Sequence, residues 1–166
     1  MSRPEIRVAT FNIQHGAQAT GRVSLRRLAR ACRDLDADIL GLQEVDRGRV
    51  RSWLRDESVF VAKRSGASST FASAVRRGPI GHYGNALVVR GEIDDVAVHD
   101  LPGTGTRERR VAILARVHVQ GLAVSVAVTH LQHRPARRPE LADEAPAQLD
   151  AVLALLSALP RPRVLL

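Results

Sequence analysis

The sequence predicts an α/β fold built in layers, and three observations predict it. A strand, a helix and a second strand succeed one another between Ile6 and Val45. Two β-rich runs, "RVAILARVHV" and "LAVSVAVTHL", are separated by the pair Gln120 and Gly121. An apolar-faced helix is then stopped by Pro160 and followed by "RVLL". Alternation of strands with helices in one chain is the pattern of sheets covered by helical layers.

Taken in order, Ile6 to Ile13 reads as a strand with Ile6, Val8 and Thr10 on one face, leaving through the turn-prone "QHG". Ser24 is placed to cap a helix in which Leu25, Leu28, Ala29, Cys32 and Leu35 fall at the spacing of one apolar face. "ADILGLQEV" reads as a second, largely buried strand ending in Gln43 and Glu44. From Asp46 to Pro79 the pattern weakens; "SGASSTFASAVRRGP" is expected to be surface loop, with Trp53, Phe60 and Phe71 as anchors to the core. A strand resumes over Ala86 to Arg90 and the hairpin follows. The last helix is expected from about Glu140 to Leu159, with "RVLL" as the next strand.

The 166 residues suit one domain, and no apolar run is long enough to cross a bilayer as a helix. The N-terminus lacks the pattern of a signal peptide, so a cytoplasmic location is expected. Cys32 is the only cysteine, which excludes an internal disulfide and a Cys-rich zinc site and leaves it as a packing residue. The net charge of +8, almost all from arginine, is spread along the chain. It is compatible with a general compositional background or with a surface that seeks phosphate.

Residues placed for chemistry lie at strand ends. Asn12 ends the first strand and Glu44 the second; on neighbouring strands both emerge at one edge of a sheet. A carboxylate there is a hard oxygen ligand suited to Mg²⁺, which takes one or two protein carboxylates and fills its other positions with water and phosphate oxygens. His130 ends the strand "AVSVAVTHL", where an imidazole N–H can donate to a phosphoryl oxygen. Arg109 and Arg110 precede the hairpin and offer guanidinium forks to phosphate, and Tyr83 and Asn85 in "YGNAL" precede a strand and face the same edge, as substrate contacts or as packing and turn residues.

In this order "RVATFNIQHG", "ADILGLQEVDR", "HYGNALVVR", "RERRVAILARV" and "VAVTHLQHRP" resemble the endonuclease/exonuclease/phosphatase superfamily. The resemblance implies a two-layer, deoxyribonuclease-like β-sandwich flanked by helices, and Mg²⁺-dependent hydrolysis of a phosphate ester, with Mn²⁺ as an alternative ion. It implies that Glu44 and Asn12 hold the metal, that His130 meets the scissile phosphate, and that Arg109, slightly ahead of Arg110, joins Tyr83 and Asn85 at the substrate. Gln148 matches a structural position of the following helix. The expected partners are a phosphorylated substrate, nucleic acid included.

The resemblance also implies elements that these residues do not contain. Family members continue from a "VLL"-like strand to a Gly-Asp-x-Asn step and a later Asp-His pair. Here Asn12 and Asn85 are the only asparagines, neither standing two after an aspartate, and no acidic residue follows Asp150 and no histidine His133. Residues 1–166 are therefore expected to be an incomplete domain, inactive alone, whose remaining half is needed in cis or in trans. A non-catalytic, basic polyanion-binding module is the alternative reading.

Overall fold

A computed structural model of the protein describes residues 5–105, 108–132 and 143–166. The alternating and continuous apolar runs become strands β1 (Val8–Asn12), β2 (Ile39–Arg47), β3 (Ser68–Arg77), β4 (Gly81–Val89), β5 (Glu92–Asp100), β6 (Val111–Val119), β7 (Leu122–Thr129) and β8 (Arg163–Leu165). The helices are α1 (Leu25–Asp34), α2 (Glu57–Ser65) and α3 (Ala145–Ser157). Ser24 caps α1 by accepting from the Arg27 amide, and Asp56 caps α2 by accepting from that of Val59.

The strands form two four-stranded sheets, ordered β1-β2-β4-β3 and β5-β6-β7-β8. Parallel pairing joins β1 to β2 and β7 to β8, and the other neighbours are antiparallel. Ile39, Leu87 and Val89 of the first sheet meet Val111, Ile113, Val117, Val126 and Val128 of the second in one buried cluster between the layers. Each such side chain, taken out of water, contributes about 1.5–3 kcal/mol. Outside the first sheet, α1 and α2 bury Leu28, Cys32 and Val61 against Leu40, Leu42 and Val88; outside the second, α3 buries Val152 and Leu156 against Leu114 and Ala127. The expected layered α/β sandwich is therefore the fold. Gly41 shows how close the sheets approach: a Cβ there would lie 2.8 Å from Cβ of Leu166.

Several local expectations change. The segment read as loop is mostly β3, which draws its order from pairing with β4 and whose Ser and Ala side chains carry little apolar pattern, and the weakly patterned stretch before it contains α2. Phe60 and Phe71 do pack against the core, but Trp53 is 72% exposed and anchors nothing. Strand β5 carries three acidic residues in its first four and is mostly exposed, so its pattern was not strand-like to read. β1 lies at a sheet edge, which leaves Val8 and Thr10 exposed and puts Ala9 and Phe11 on the core. The described part of α3 begins at Ala145; residues 140–142 lie outside the described residues. Cys32 is buried and its thiol is pushed up to about 12, by burial first and then by Glu57, in keeping with a packing role.

Candidate active site

The site begins with an irregularity in β2. Between Leu42 and Val45 the strand advances three residues while β4 advances two, from Ala86 to Gly84. The extra residue is accommodated by Glu44, whose φ is +60°. A bulge bends the strand and re-aims a side chain. Here the side chain is that of Glu44, turned to the end of β1, where the amide of Asn12 donates to its Oε1 at 2.8 Å.

The orientation of that amide follows from its second bond. Oδ1 of Asn12 accepts from the backbone N–H of Gln14 at 3.1 Å, so the NH₂ is the end that faces the carboxylate. Asn12 thus meets Glu44 as a donor, and its oxygen keeps a second lone pair besides the bond from Gln14. Tyr83, from β4, donates its hydroxyl to Glu44 as well. Burial by itself raises the pKa of Glu44, but the bonds from Asn12 and Tyr83, with His130 and His15 nearby, outweigh it and hold the carboxyl below its ordinary value. Burial, and then the bond to Glu44, raise the phenol of Tyr83.

His130 follows β7 directly and lies close enough to act on the charge of Glu44, so three of the expected residues, from β1, β2 and β7, converge with Tyr83. The two others are placed differently. Asn85 is 3% exposed and donates to the carbonyl of Val111 at 3.1 Å, which ties the two sheets together behind the site. Arg109 points to Asp100 at 3.1 Å and is exposed, whereas Arg110 is nearly buried, donates to Gln132 and Glu108, and acts on Tyr83. Adjacent residues entering a strand face opposite ways. The structure thus brings Arg110, and not Arg109, near Tyr83. Gln148 is structural, as expected: its side chain accepts from the Gln132 amide at 2.7 Å and donates to the Pro102 carbonyl at 2.9 Å.

Sequence reading missed the groups beneath the bulge. Asp46, fully buried, takes two bonds from Arg51 at 2.6 and 2.9 Å, and its backbone N–H donates to Oε2 of Glu57 at 2.8 Å. Glu57 is itself fully buried, its Oε1 has no partner among the described residues, and its pKa is pushed up to about 8, mainly by burial. His15, in the short 3₁₀ turn after β1, stands beside Glu44 and Arg51; burial, then Arg51, lower its pKa. The guanidinium of Arg51 also lies over the Tyr83 ring, 5.9 Å from its centre. In the sequence these groups were visible only as charges in a segment with weak periodicity.

Among the described residues no three His, Cys, Asp or Glu side chains gather to hold a metal. The donor chemistry nonetheless fits a hard divalent cation of the Mg²⁺ kind, which needs few protein ligands: Glu44 is an oxygen donor held ionised at a half-buried bulge.

Residues 9–166 match the model of the Endonuclease/Exonuclease/phosphatase family. The chain belongs to that family. An endonuclease/exonuclease/phosphatase from Beutenbergia cavernae DSM 12333 has a similar structure, with a TM-score of 0.74 and 25% identity, covering 96% of this chain and 46% of that one. An endonuclease/exonuclease/phosphatase family protein from Leptotrichia buccalis C-1013-b gives a TM-score of 0.69 at 12% identity, with 97% and 66% covered. The human Nocturnin catalytic domain with bound sulfate anion gives 0.64 at 22%, with 96% and 62% covered. The chain thus spans between about half and two thirds of these family structures. No curated protein sequence matches it. Among the described residues no helix is long and apolar enough to cross a membrane.

Proposed function

We propose that this family member carries the metal- and phosphate-holding part of a divalent-cation-dependent phosphoesterase, acting on a phosphodiester or phosphomonoester, with Mg²⁺ or Mn²⁺ as the ion. The observation that carries the reading is the carboxylate of Glu44, kept ionised by donors from two other strands. When bound, the metal would supply Lewis-acid stabilisation of phosphoryl charge.

The protein's own groups divide the remaining work. Glu44 holds the ion, and Asn12 fixes the carboxylate and keeps it charged. His130 donates an N–H to a phosphoryl oxygen, and Arg110, rather than Arg109, balances phosphate charge beside Tyr83. Asn85 keeps the two sheets in register behind them. Residues 1–166 contain neither the Asp-x-Asn step nor the Asp-His pair expected of the family, so turnover requires groups beyond these residues, from the same or another chain.

The test is hydrolysis of a generic phosphodiester and phosphomonoester by the complete protein and by its Glu44→Ala form. Loss of activity with Glu44→Ala is expected; equal activity removes the site assignment. Turnover by a purified chain of residues 1–166 would show that the missing elements are not required. The charge of +8 favours a second reading, a polyanion-binding module. Salt-sensitive DNA binding that needs neither Mg²⁺ nor Glu44 would select it.

A further inference from the structure

Among the described residues, the large hydrophobic side chains more than half exposed are Val50 at 84%, Trp53 at 72%, Ile80 at 61% and Leu54 at 55%. All four belong to two loops that touch. Three lie between β2 and α2, and Ile80 lies in the turn between β3 and β4. The backbones approach so closely that a Cβ on Gly48 would come within 2.5 Å of the Ile80 carbonyl oxygen. Val50 and Ile80, with Arg49, Arg51 and Arg77, line one groove of about 780 Å³.

The outward direction of these side chains is fixed by what points inward. Arg51 is drawn onto buried Asp46, and Ser52 is fully buried, its hydroxyl donating to the Arg49 carbonyl at 3.1 Å. Trp53 and Leu54 both take left-handed backbone, with φ of +58° and +56°, held by amide bonds to Val50 and Arg49 at 3.0 and 2.8 Å. Strained backbone at consecutive non-glycine residues persists only where the surroundings enforce it. The charges around the patch are positive: Arg49, Arg55 and Arg76 have no acidic partner among the described residues.

We propose that these two loops dock the protein on an anionic lipid bilayer, with Val50, Trp53, Leu54 and Ile80 entering the headgroup–acyl boundary and Arg49, Arg55 and Arg76 meeting lipid phosphates. Aliphatic and Trp side chains ringed by arginine are the composition of an interfacial anchor. A single-stranded nucleic acid would need flat rings to stack on. The four Phe and Tyr residues of the chain besides Trp53 are Phe11, Phe60 and Phe71, packed on the core, and Tyr83, which is turned to Glu44. The patch adjoins the candidate site through Arg51 and Tyr83, so docking there would bring Glu44 to the membrane surface. The proposal does not depend on the chain being a phosphoesterase.

Trp53 is the only tryptophan, so its fluorescence reports on this surface directly. The chain is titrated with vesicles of phosphatidylglycerol and phosphatidylcholine, with phosphatidylcholine alone, and with a single-stranded oligonucleotide. A blue shift and saturable binding to the anionic vesicles are expected, weakened by salt, and reduced about tenfold by Val50→Ser with Ile80→Ser. Both positions are exposed, and circular dichroism checks that the double variant keeps its fold. The proposal is overturned if anionic vesicles leave the fluorescence unchanged, if the oligonucleotide alone shifts it, or if the double variant binds vesicles as well as the parent. It is overturned equally if sedimentation shows a dimer that this variant dissociates, since the patch would then be covered by a second copy.

Discussion

The side chains of Asn12 and Glu44 meet at 2.8 Å between the end of β1 and the bulge in β2, with the amide of Asn12 donating and its oxygen turned back onto the amide of Gln14. One bond fixes the rotamer of the asparagine, and the other gives the carboxylate a donor that favours its charged form.

From this follows a pH effect with a definite sign. The folded-state pKa of Glu44 lies below its ordinary value, so its contribution to stability is present above the unfolded-state pKa and is lost as pH falls through the folded one. Asn12→Ala removes a lowering influence and leaves the burial, so the pKa of Glu44 rises. Carboxyl carbon NMR of Glu44 should show its titration moved to higher pH, and Mn²⁺ binding should fail at a higher pH than in the parent. The stability cost is small, under about 1 kcal/mol, because the pair is exposed. An unmoved titration would show that the amide does not control the charge.

Much of this site was legible because its residues lie on or directly after strands that the apolar pattern marks. The patterns of "RVATFNI", "ADILGLQEV" and "AVSVAVTH" locate β1, β2 and β7 and hence put Asn12 at the end of β1, His130 just after β7 and Glu44 on the neighbouring strand beside Asn12, although β2 runs on past Glu44 to Arg47. The bulge was not legible. It depends on how β2 counts against β4, a relation between segments that no single run of residues displays. Which of Arg109 and Arg110 turns toward Tyr83 was not legible for a similar reason: it depends on which face of β6 is inward, and β6 is buried on both faces over most of its length, so its pattern carries no parity. β3 was hidden by small side chains whose order comes from their neighbours.

The pair of Asp46 and Arg51 predicts an asymmetric mutational cost. Arg51→Ala leaves a fully buried carboxylate without its two guanidinium bonds and should destabilise the chain by about 2–4 kcal/mol in urea unfolding. Adding Asp46→Asn should recover part of the loss by removing the unpaired charge. Costs that simply add would mean that the two side chains act independently.

Gln148 predicts a loss far from the site. It is 1% exposed, and its amide joins α3 to Gln132 after β7 and to Pro102 after β5. Gln148→Leu would leave a buried N–H and a carbonyl without that partner, at about 1–3 kcal/mol each. Hydrogen exchange should show the Gln132 amide losing protection first. Unchanged protection would show that water replaces the side chain.

Glu57 gives the prediction with the opposite pH sign. Its carboxyl is fully buried, one oxygen accepting from Asp46 N–H and the other without a partner among the described residues, and its pKa is pushed up to about 8. Below the unfolded-state value of about 4.5 the group is neutral in both states and has no effect on the pH dependence. Between there and about 8 the unfolded chain releases a proton that the folded chain keeps, so stability falls as pH rises, and the fall is complete above the folded pKa. Glu57→Gln keeps an oxygen for the Asp46 amide and cannot ionise, although it places an NH₂ where the orphaned oxygen was. Thermal unfolding should find the variant no more stable than the parent near pH 4.5. Near pH 8.5 it should be more stable by about 1–3 kcal/mol, the ionisation cost less that of the new unpaired donor. Parallel curves across this range would mean that the carboxyl is already charged at neutral pH and that the bulge carrying Glu44 rests on a buried carboxylate.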